Sequence, residues 1–285
     1  MAMLLKGAPV ASALNEKMKK EVAVLRQMSV EPTLAIVRVG EKGDNLSYER
    51  SAMKRCASVG VRVENIVFPE DVSFEVFYEE IDRLNRDDSV HGILIFRPLP
   101  EHLDNERARN AVSPEKDVDG CTDGSLAGVF TGSGTGFSPC TAQAVVEVLD
   151  HYGIPCEGKE AVIIGRSLVV GRPAAMLLLH RNATVTVCHT RTKDLKEQAR
   201  RADILVVCSG KMESFGKDFV RPGQIVIDVG ISWNEEKGKL CGDVIFEEAE
   251  PVVEAITPVP GGVGAVTTSV LVSHVVKSAE RAASL

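Results

Sequence analysis

A two-domain α/β fold with parallel sheets is what this sequence predicts, and three observations predict it. The chain has 285 residues, enough for about two domains of ordinary size. Short β-rich runs alternate with segments of helical periodicity, the pattern of strands joined by crossover helices. One of those runs, Ala161-Val-Ile-Ile164, leads straight into a glycine turn and a helix, Gly165-Arg-Ser-Leu-Val-Val-Gly171-Arg-Pro173.

The elements follow in order. Residues 14–28 have helical periodicity. Thr33-Leu-Ala-Ile-Val-Arg-Val39 is a β-rich run closed by Gly40, and a helix over 45–59 precedes a second strand over 61–68. Ser73 is placed to N-cap a helix over 73–86. Gly92-Ile-Leu-Ile-Phe96 reads as a buried strand stopped by Pro98 and Pro100. A loop-rich stretch over 113–139 follows, with the domain boundary near its end. Beyond it come helices over 141–152, 170–180 and 193–200 and strands over 161–164, 184–188, 203–207 and 224–228. A last helix runs from near Gly264 to about Ala282, and its apolar stretch Val270-Leu-Val-Ser-His-Val-Val276 suits a buried helix returning to the first domain.

Apolar residues make up 44% and charged residues 26%, a globular mixture that can bury a core without staples. The net charge of −7 argues against the basic face that a nucleic-acid partner needs. The seven cysteines are odd in number and form no Cys-x-x-Cys pair. That argues against a disulfide framework or a zinc site and fits a reducing compartment. No apolar run reaches membrane-spanning length, and the first residues are too short a stretch for a signal peptide, so a cytoplasmic protein is expected.

In the second half, Gly165 permits a tight turn and Gly171 lets the following helix approach the strand. N–H groups at such a helix start attract phosphate, so a dinucleotide-binding, Rossmann-like domain is expected here. The spacing is not G-x-G-x-x-G, and from the motif alone an ordinary strand-to-helix turn stays open. The next strand adds to the argument. In an NAD site its end usually carries an acidic residue for the ribose hydroxyls. Here it reads Cys188-His-Thr-Arg-Thr192. The hydroxyl of Thr190 and the cations Arg166 and Arg191 suit a 2′-phosphate, so NADP is expected over NAD. Thr131-Gly-Ser-Gly-Thr-Gly136 looks like a phosphate loop, but no buried strand leads into it, and a flexible linker loop is expected.

Eight stretches stand out together: Tyr48 with the helix to Gly60, Pro98-Leu-Pro100, Pro114-Glu-Lys-Asp-Val-Asp-Gly120, Ser138-Pro-Cys-Thr141, the 165–173 turn, Asp228-Val-Gly-Ile231, Gly242-Asp-Val244 and Thr257-Pro-Val-Pro-Gly-Gly-Val-Gly264. On these stretches, and over nearly its whole length, the chain resembles the bifunctional methylenetetrahydrofolate dehydrogenase/cyclohydrolase (FolD) family. With the element order this resemblance implies an N-terminal α/β catalytic domain over 1–138 and a C-terminal Rossmann-like NAD(P)-binding domain over 139–270. A helix over 271–285 would pack back on the first domain. It also implies a homodimer, acting on tetrahydrofolate derivatives in one-carbon metabolism and purine biosynthesis. Tyr48 would stand beside the folate and Asp119 on its pteridine ring, and Pro260, Gly261 and Gly262 would bring backbone close to the substrate. Gly165, Arg166, Ser167, Gly171, Thr190 and Ile231 would line the dinucleotide. Without the resemblance, Tyr48 reads as a core aromatic, Asp119 as a turn residue and 260–264 as a loop.

The chain departs from the family pattern at three places. The lysine of the family's Tyr-x-x-x-Lys falls on Ala52, and the glutamine of its Gln-Leu-Pro-Leu-Pro falls on Phe96. Its Pro-Cys-Thr-Pro-x-Gly becomes Pro139-Cys-Thr-Ala-Gln-Ala144. Around a helix, Arg55 lies within ~20° of Tyr48, whereas Lys54 lies ~120° away. Arg97 neighbours the lost glutamine, but strand alternation points it to the opposite face. Arg55 is therefore the expected catalytic cation, although arginine is a poor general base. The expected activity is NADP-dependent oxidation of 5,10-methylenetetrahydrofolate to 5,10-methenyltetrahydrofolate. Hydrolysis of that product to 10-formyltetrahydrofolate relies on acid–base groups and is the half these substitutions threaten. A dehydrogenase alone, or a non-catalytic folate- or nucleotide-binding paralogue, are the alternatives.

Overall fold

The computed structural model describes residues 1–41 and 43–283. In chain order its elements are β1 (Met3–Leu4), α1 (Gly7–Gln27), β2 (Thr33–Val39), α2 (Gly43–Val59), β3 (Arg62–Phe68), α3 (Phe74–Arg86), β4 (Gly92–Ile95), α4 (Asn105–Ala111), α5 (Asp123–Thr131) and α6 (Cys140–His151). Then come β5 (Glu160–Ile164), α7 (Gly171–Leu179), β6 (Thr184–Cys188), α8 (Leu195–Arg201), β7 (Ile204–Val207), β8 (Ile225–Asp228), β9 (Ser232–Asn234), β10 (Lys239–Cys241), α9 (Phe246–Ala249), β11 (Ala255–Ile256) and α10 (Thr267–Ala283). The chain forms two compact units, Ala13–Cys140 with Thr268–Leu285, and Met1–Ser12 with Thr141–Thr267.

The first unit is built on a three-stranded sheet of order β3-β2-β4, parallel throughout. β2 is central and almost wholly buried, as a run of aliphatic residues covered on both faces must be. Its Ala35, Val37 and Val39 pack with Phe77, Ile81 and Leu84 of α3, whose four-and-three spacing makes one apolar stripe. Ser73 caps that helix by accepting from Val76 N. α10 packs on β4 within the same unit: a Cβ on Gly92 would lie 2.6 Å from Val118 and 3.1 Å from Val275.

Two readings of the 113–139 stretch change. It contains α5, whose N-cap Thr122 accepts from Ser125 N. Gly124 and Gly128 mask this helix in the sequence, because glycine is a poor helix former. Gly128 is required there, since a Cβ would meet Thr135 O at 2.0 Å. The 131–136 segment is the αL cap and close return of α5 at Gly132, packed against Ser125 at Gly136, rather than a free linker.

The second unit holds a six-stranded parallel sheet of order β1-β11-β8-β7-β5-β6. β5 lies between β6 and β7, so its neighbours leave in opposite directions and a crevice opens at its carboxyl end. The N-terminus belongs to this sheet, unlike the 1–138 division read from sequence. Met3 N and Leu5 N donate to Glu254 O and Ile256 O at 2.8 and 2.9 Å, adding β1 to the sheet edge. Among the described residues, no helix is long and apolar enough to cross a membrane.

Candidate active site

In the three-stranded unit, α2 follows β2 and carries Tyr48. Glu49 is buried and fixes the helix: its carboxylate takes Arg38 Nε at 2.8 Å and Asn65 Nδ2 at 3.3 Å. Tyr48 stands edge-on to Phe96, with ring centroids 5.8 Å apart at 89°. Phe96 is buried and Ala52 completely so. Burial, with Cys140 and Asp119 nearby, holds the Tyr48 phenol well above its ordinary range, so it remains a neutral O–H.

The two aspartates of Asp117-Val-Asp-Gly120 have separate tasks. Asp117 is buried and spent on its own turn: Oδ1 accepts from Gly120 N and Cys121 N at 3.0 and 3.2 Å, Oδ2 from Thr122 N at 2.7 Å. Asp119 meets side chains instead. Arg97 Nη2 lies 3.5 Å from its Oδ2, and the Cys121 thiol donates to the same oxygen at 2.9 Å. Burial raises the Asp119 carboxyl, while the Cys121 thiol and the Arg97 guanidinium act against that and favour the ionised form. Both partners fall on Oδ2, so among the described residues Oδ1 keeps its acceptor sites for a ligand.

In the six-stranded unit, Gly165 ends β5 at φ +137°, and a Cβ there would sit 2.3 Å from Cys208 O. Gly171 opens α7, and its Cβ would meet Gly165 O at 2.3 Å. Between them Ser167 Oγ accepts from Val170 N at 3.1 Å, which leaves Arg166 and Ser167 exposed on a closed turn. Beyond β6, Thr192 Oγ1 accepts from His189 N and His189 Nδ1 from Arg191 N, at 2.9 and 3.1 Å. This small loop presents Thr190 and Arg191 to solvent with no carboxylate between 188 and 192. Two buried aspartates hold the neighbouring strand ends: Asp243 Oδ2 accepts from Ser209 N and Gly210 N at 2.6 and 2.9 Å, and Asp228 Oδ1 from Gly230 N at 2.9 Å. Ile231 is exposed just beyond. Residues 257–262 are tied to the same unit by Thr257 Oγ1, which accepts from Asp228 N at 2.8 Å, and by Gly261 O, which accepts from Gly7 N at 2.8 Å.

Residues 5–119 match the catalytic domain of tetrahydrofolate dehydrogenase/cyclohydrolase, and residues 139–283 match the NAD(P)-binding domain of the same family. The chain belongs to the tetrahydrofolate dehydrogenase/cyclohydrolase family. The bifunctional protein FolD of Carboxydothermus hydrogenoformans is 51% identical over 281 residues, 98% of each chain. The crystal structure of the bifunctional FolD methylenetetrahydrofolate dehydrogenase/cyclohydrolase of Campylobacter jejuni is 40% identical, with a TM-score of 0.94 over 99% of each chain. That of the Trypanosoma brucei enzyme, complexed with NADP cofactor and inhibitor, is 34% identical with a TM-score of 0.89 over 98% of each.

Within this family fold, Tyr48 and Asp119 belong to the three-stranded unit. Gly165, Arg166, Ser167, Gly171, Thr190, Ile231, Pro260, Gly261 and Gly262 belong to the six-stranded one. The cation on Asp119 is Arg97, whose side chain strand alternation had pointed to the opposite face. β4 ends at Ile95, so strand alternation no longer sets the direction of the Arg97 side chain. Arg55 is half-buried on α2, where its carbonyl accepts from Ser58 Oγ at 2.7 Å. Cys121 was legible only as the residue after the Asp-Gly turn, a position that suggests no chemistry by itself.

The cradle at Gly165 yields a first prediction. Gly165→Ala forces the turn away from Cys208 and shifts Arg166 and Ser167 with it. We expect NADPH affinity to fall by about tenfold or more, with a lowered melting temperature, for strain of about 1–3 kcal/mol. Unchanged affinity in a fluorescence titration would remove this turn from the cofactor site.

Proposed function

We propose that the protein oxidises 5,10-methylenetetrahydrofolate to 5,10-methenyltetrahydrofolate with NADP, the dehydrogenase reaction of its family. The observation that carries this reading is Asp119, a carboxylate anchored at Oδ2 by Arg97 and Cys121, with no partner on Oδ1 among the described residues. Such a group suits the N–H donors of a pteridine aminopyrimidinone edge. Tyr48, a neutral phenol against the Phe96 ring, gives the substrate a donor beside an apolar wall. Arg97 is paired with Asp119, so the two together add no net charge where the product's cation would form.

The dinucleotide fits the six-stranded unit. The Gly165 and Gly171 cradle has no room for side chains, and Arg166 and Arg191 stand exposed around it. Arg166 and Ser167 would hold phosphate, and Thr190 with Arg191 the 2′-phosphate, with Ile231 at the edge. Bound NADP supplies the hydride acceptor for the methylene carbon. Residues 260–262 would bring backbone to the substrate, and a cytoplasmic homodimer is the expected assembly.

Turnover is tested with methylenetetrahydrofolate and NADP, following reduced cofactor and methenyl product separately. Equal or better turnover with NAD at matched concentrations would overturn the cofactor assignment. Thr190→Asp sets a carboxylate where the 2′-phosphate would lie and should shift preference towards NAD by roughly tenfold, through like-charge repulsion.

A second reading, dehydrogenase without cyclohydrolase, is favoured by one observation. Ala52, one helical turn on from Tyr48, and Phe96, against the Tyr48 ring, are buried apolar groups that cannot move a proton.

A further inference from the structure

α10 carries His274, Ser278 and Arg281, spaced four and three apart and so lying on one stripe of the helix. Each reaches a backbone carbonyl of the segment that bears Asp119. His274 Nδ1 lies 2.9 Å from Val118 O, Ser278 Oγ donates to Glu115 O at 2.9 Å, and Arg281 Nη1 donates to Gly136 O at 3.1 Å. A carbonyl oxygen only accepts, so His274 carries its proton on Nδ1. The imidazole is stacked on Phe137, centroids 4.7 Å apart at 25°, and the Arg281 guanidinium lies 4.5 Å from the centre of that ring. His274 is 6% exposed, and burial lowers its pKa to about 4, so it stays neutral.

The carbonyl it holds belongs to the peptide that leads into Asp119. Asp117 secures the N–H groups of 120–122, and Asp119 O accepts from Cys140 N at 3.3 Å. Among the described residues Val118 O has one other donor, the Cys140 thiol at 3.3 Å, and a thiol is a weak one. Without the imidazole a buried carbonyl is left poorly satisfied. The 118–119 peptide then loses the contact that sets its orientation, and the carboxylate is no longer delivered to Arg97 and Cys121. No step of the chemistry uses His274.

We propose that His274 is a positioning residue for the folate: its Nδ1–H holds the Val118 carbonyl and so sets where the Asp119 carboxylate stands. The proposal rests on the reading of Asp119 as the folate anchor.

The test compares His274→Asn with His274→Leu. The two side chains share the same branched four-atom skeleton, so both lose the ring stacked on Phe137. Only asparagine has an amide nitrogen where Nδ1 stands. We expect Leu to raise the KM for methylenetetrahydrofolate by about tenfold, with kcat changed less and the KM for NADP within about twofold. Asn should stay within about threefold of the parent. Equal KM values for Asn and Leu would overturn the proposal, because a purely structural ring would make both equally poor. If Leu does not fold, His274→Gln takes its place, since its amide reaches the Nε2 position instead. Asn must then keep the KM and Gln must raise it, and equality again overturns the proposal. Asp119→Ala separates the two levels. If it leaves folate affinity unchanged, the anchor assignment fails. If it weakens folate while Asn and Leu agree, only the role of His274 fails.

Discussion

Asp119→Ala should weaken folate binding by roughly 10–100-fold, the equivalent of about 1.5–3 kcal/mol for a hydrogen bond to a charged group. NADP binding should be unchanged, because Gly165, Arg166, Ser167 and Thr190 belong to the other compact unit. The effect has two parts. The ligand loses the acceptor at Oδ1, and Arg97 loses the carboxylate that balances it. An unpaired guanidinium would then face a site whose product is a cation. Asp119→Asn separates the parts, since it keeps the shape and an acceptor but removes the charge. If titration shows unchanged folate affinity in the alanine variant, Asp119 is not the pteridine anchor. If Asn and Ala lose affinity equally, charge rather than hydrogen bonding dominates.

The legible parts of this molecule are those whose residues repeat with a period. β2 over Thr33–Val39 and β6 over Thr184–Cys188 have the bounds expected from their aliphatic and β-branched runs. α3 begins just after the cap read at Ser73. Elements too short to show a period were missed: β1 and β11 are two residues each, and their pairing joins positions some 250 apart in the chain. α5 was missed because its glycines answer a tertiary demand, the close passage of Thr135, that local propensity cannot reveal. The dinucleotide turn could be read from a strand, two glycines and a helix. The proposed folate residues could not: a tyrosine on a helix and an aspartate in a turn are ordinary features, and only the family resemblance singled them out. Arg97 failed for a geometric reason, because the alternation rule was carried past the end of β4. His274 meets Val118 O at 2.9 Å across 156 residues of chain, which no spacing encodes, and Cys121 meets Asp119 at 2.9 Å from two residues away, where a thiol suggests no such role.

Oxidation should outpace hydrolysis, so that methenyltetrahydrofolate accumulates during turnover. Hydride transfer from the methylene carbon needs alignment and a suitable field, which the proposed Asp119 anchor and the proposed cofactor turn at Gly165 would supply. Hydrolysis needs more: a water must lose a proton as it attacks, and the leaving nitrogen must gain one. The side chains around Tyr48 are poorly suited to both tasks. Ala52 and Phe96 are buried and apolar, the Tyr48 phenol is held neutral, and burial keeps the Cys121 and Cys140 thiols protonated. Arg97 is a permanent cation and a poor base. A positioned acid or base contributes ~10²–10⁴-fold, so hydrolysis should fall close to the spontaneous rate. The decay of methenyl product with and without enzyme, in a buffer that does not catalyse it, measures this directly. A large enzyme-dependent acceleration would show that Arg97 and Asp119 orient water well enough alone, and the expectation would be wrong. The double replacement Ala52→Lys with Phe96→Gln distinguishes a site that lost its groups from one rebuilt around Arg97. Lysine alone at position 52 would bury an ammonium at a fully buried position. Exchanging the Phe96 ring for an amide at the same time removes that wall and supplies a hydrogen-bond partner. A rise in hydrolysis of about tenfold or more with oxidation preserved means the groups were simply missing. No rise, or loss of both activities, means that Arg97 and Asp119 form a different site that these groups disrupt.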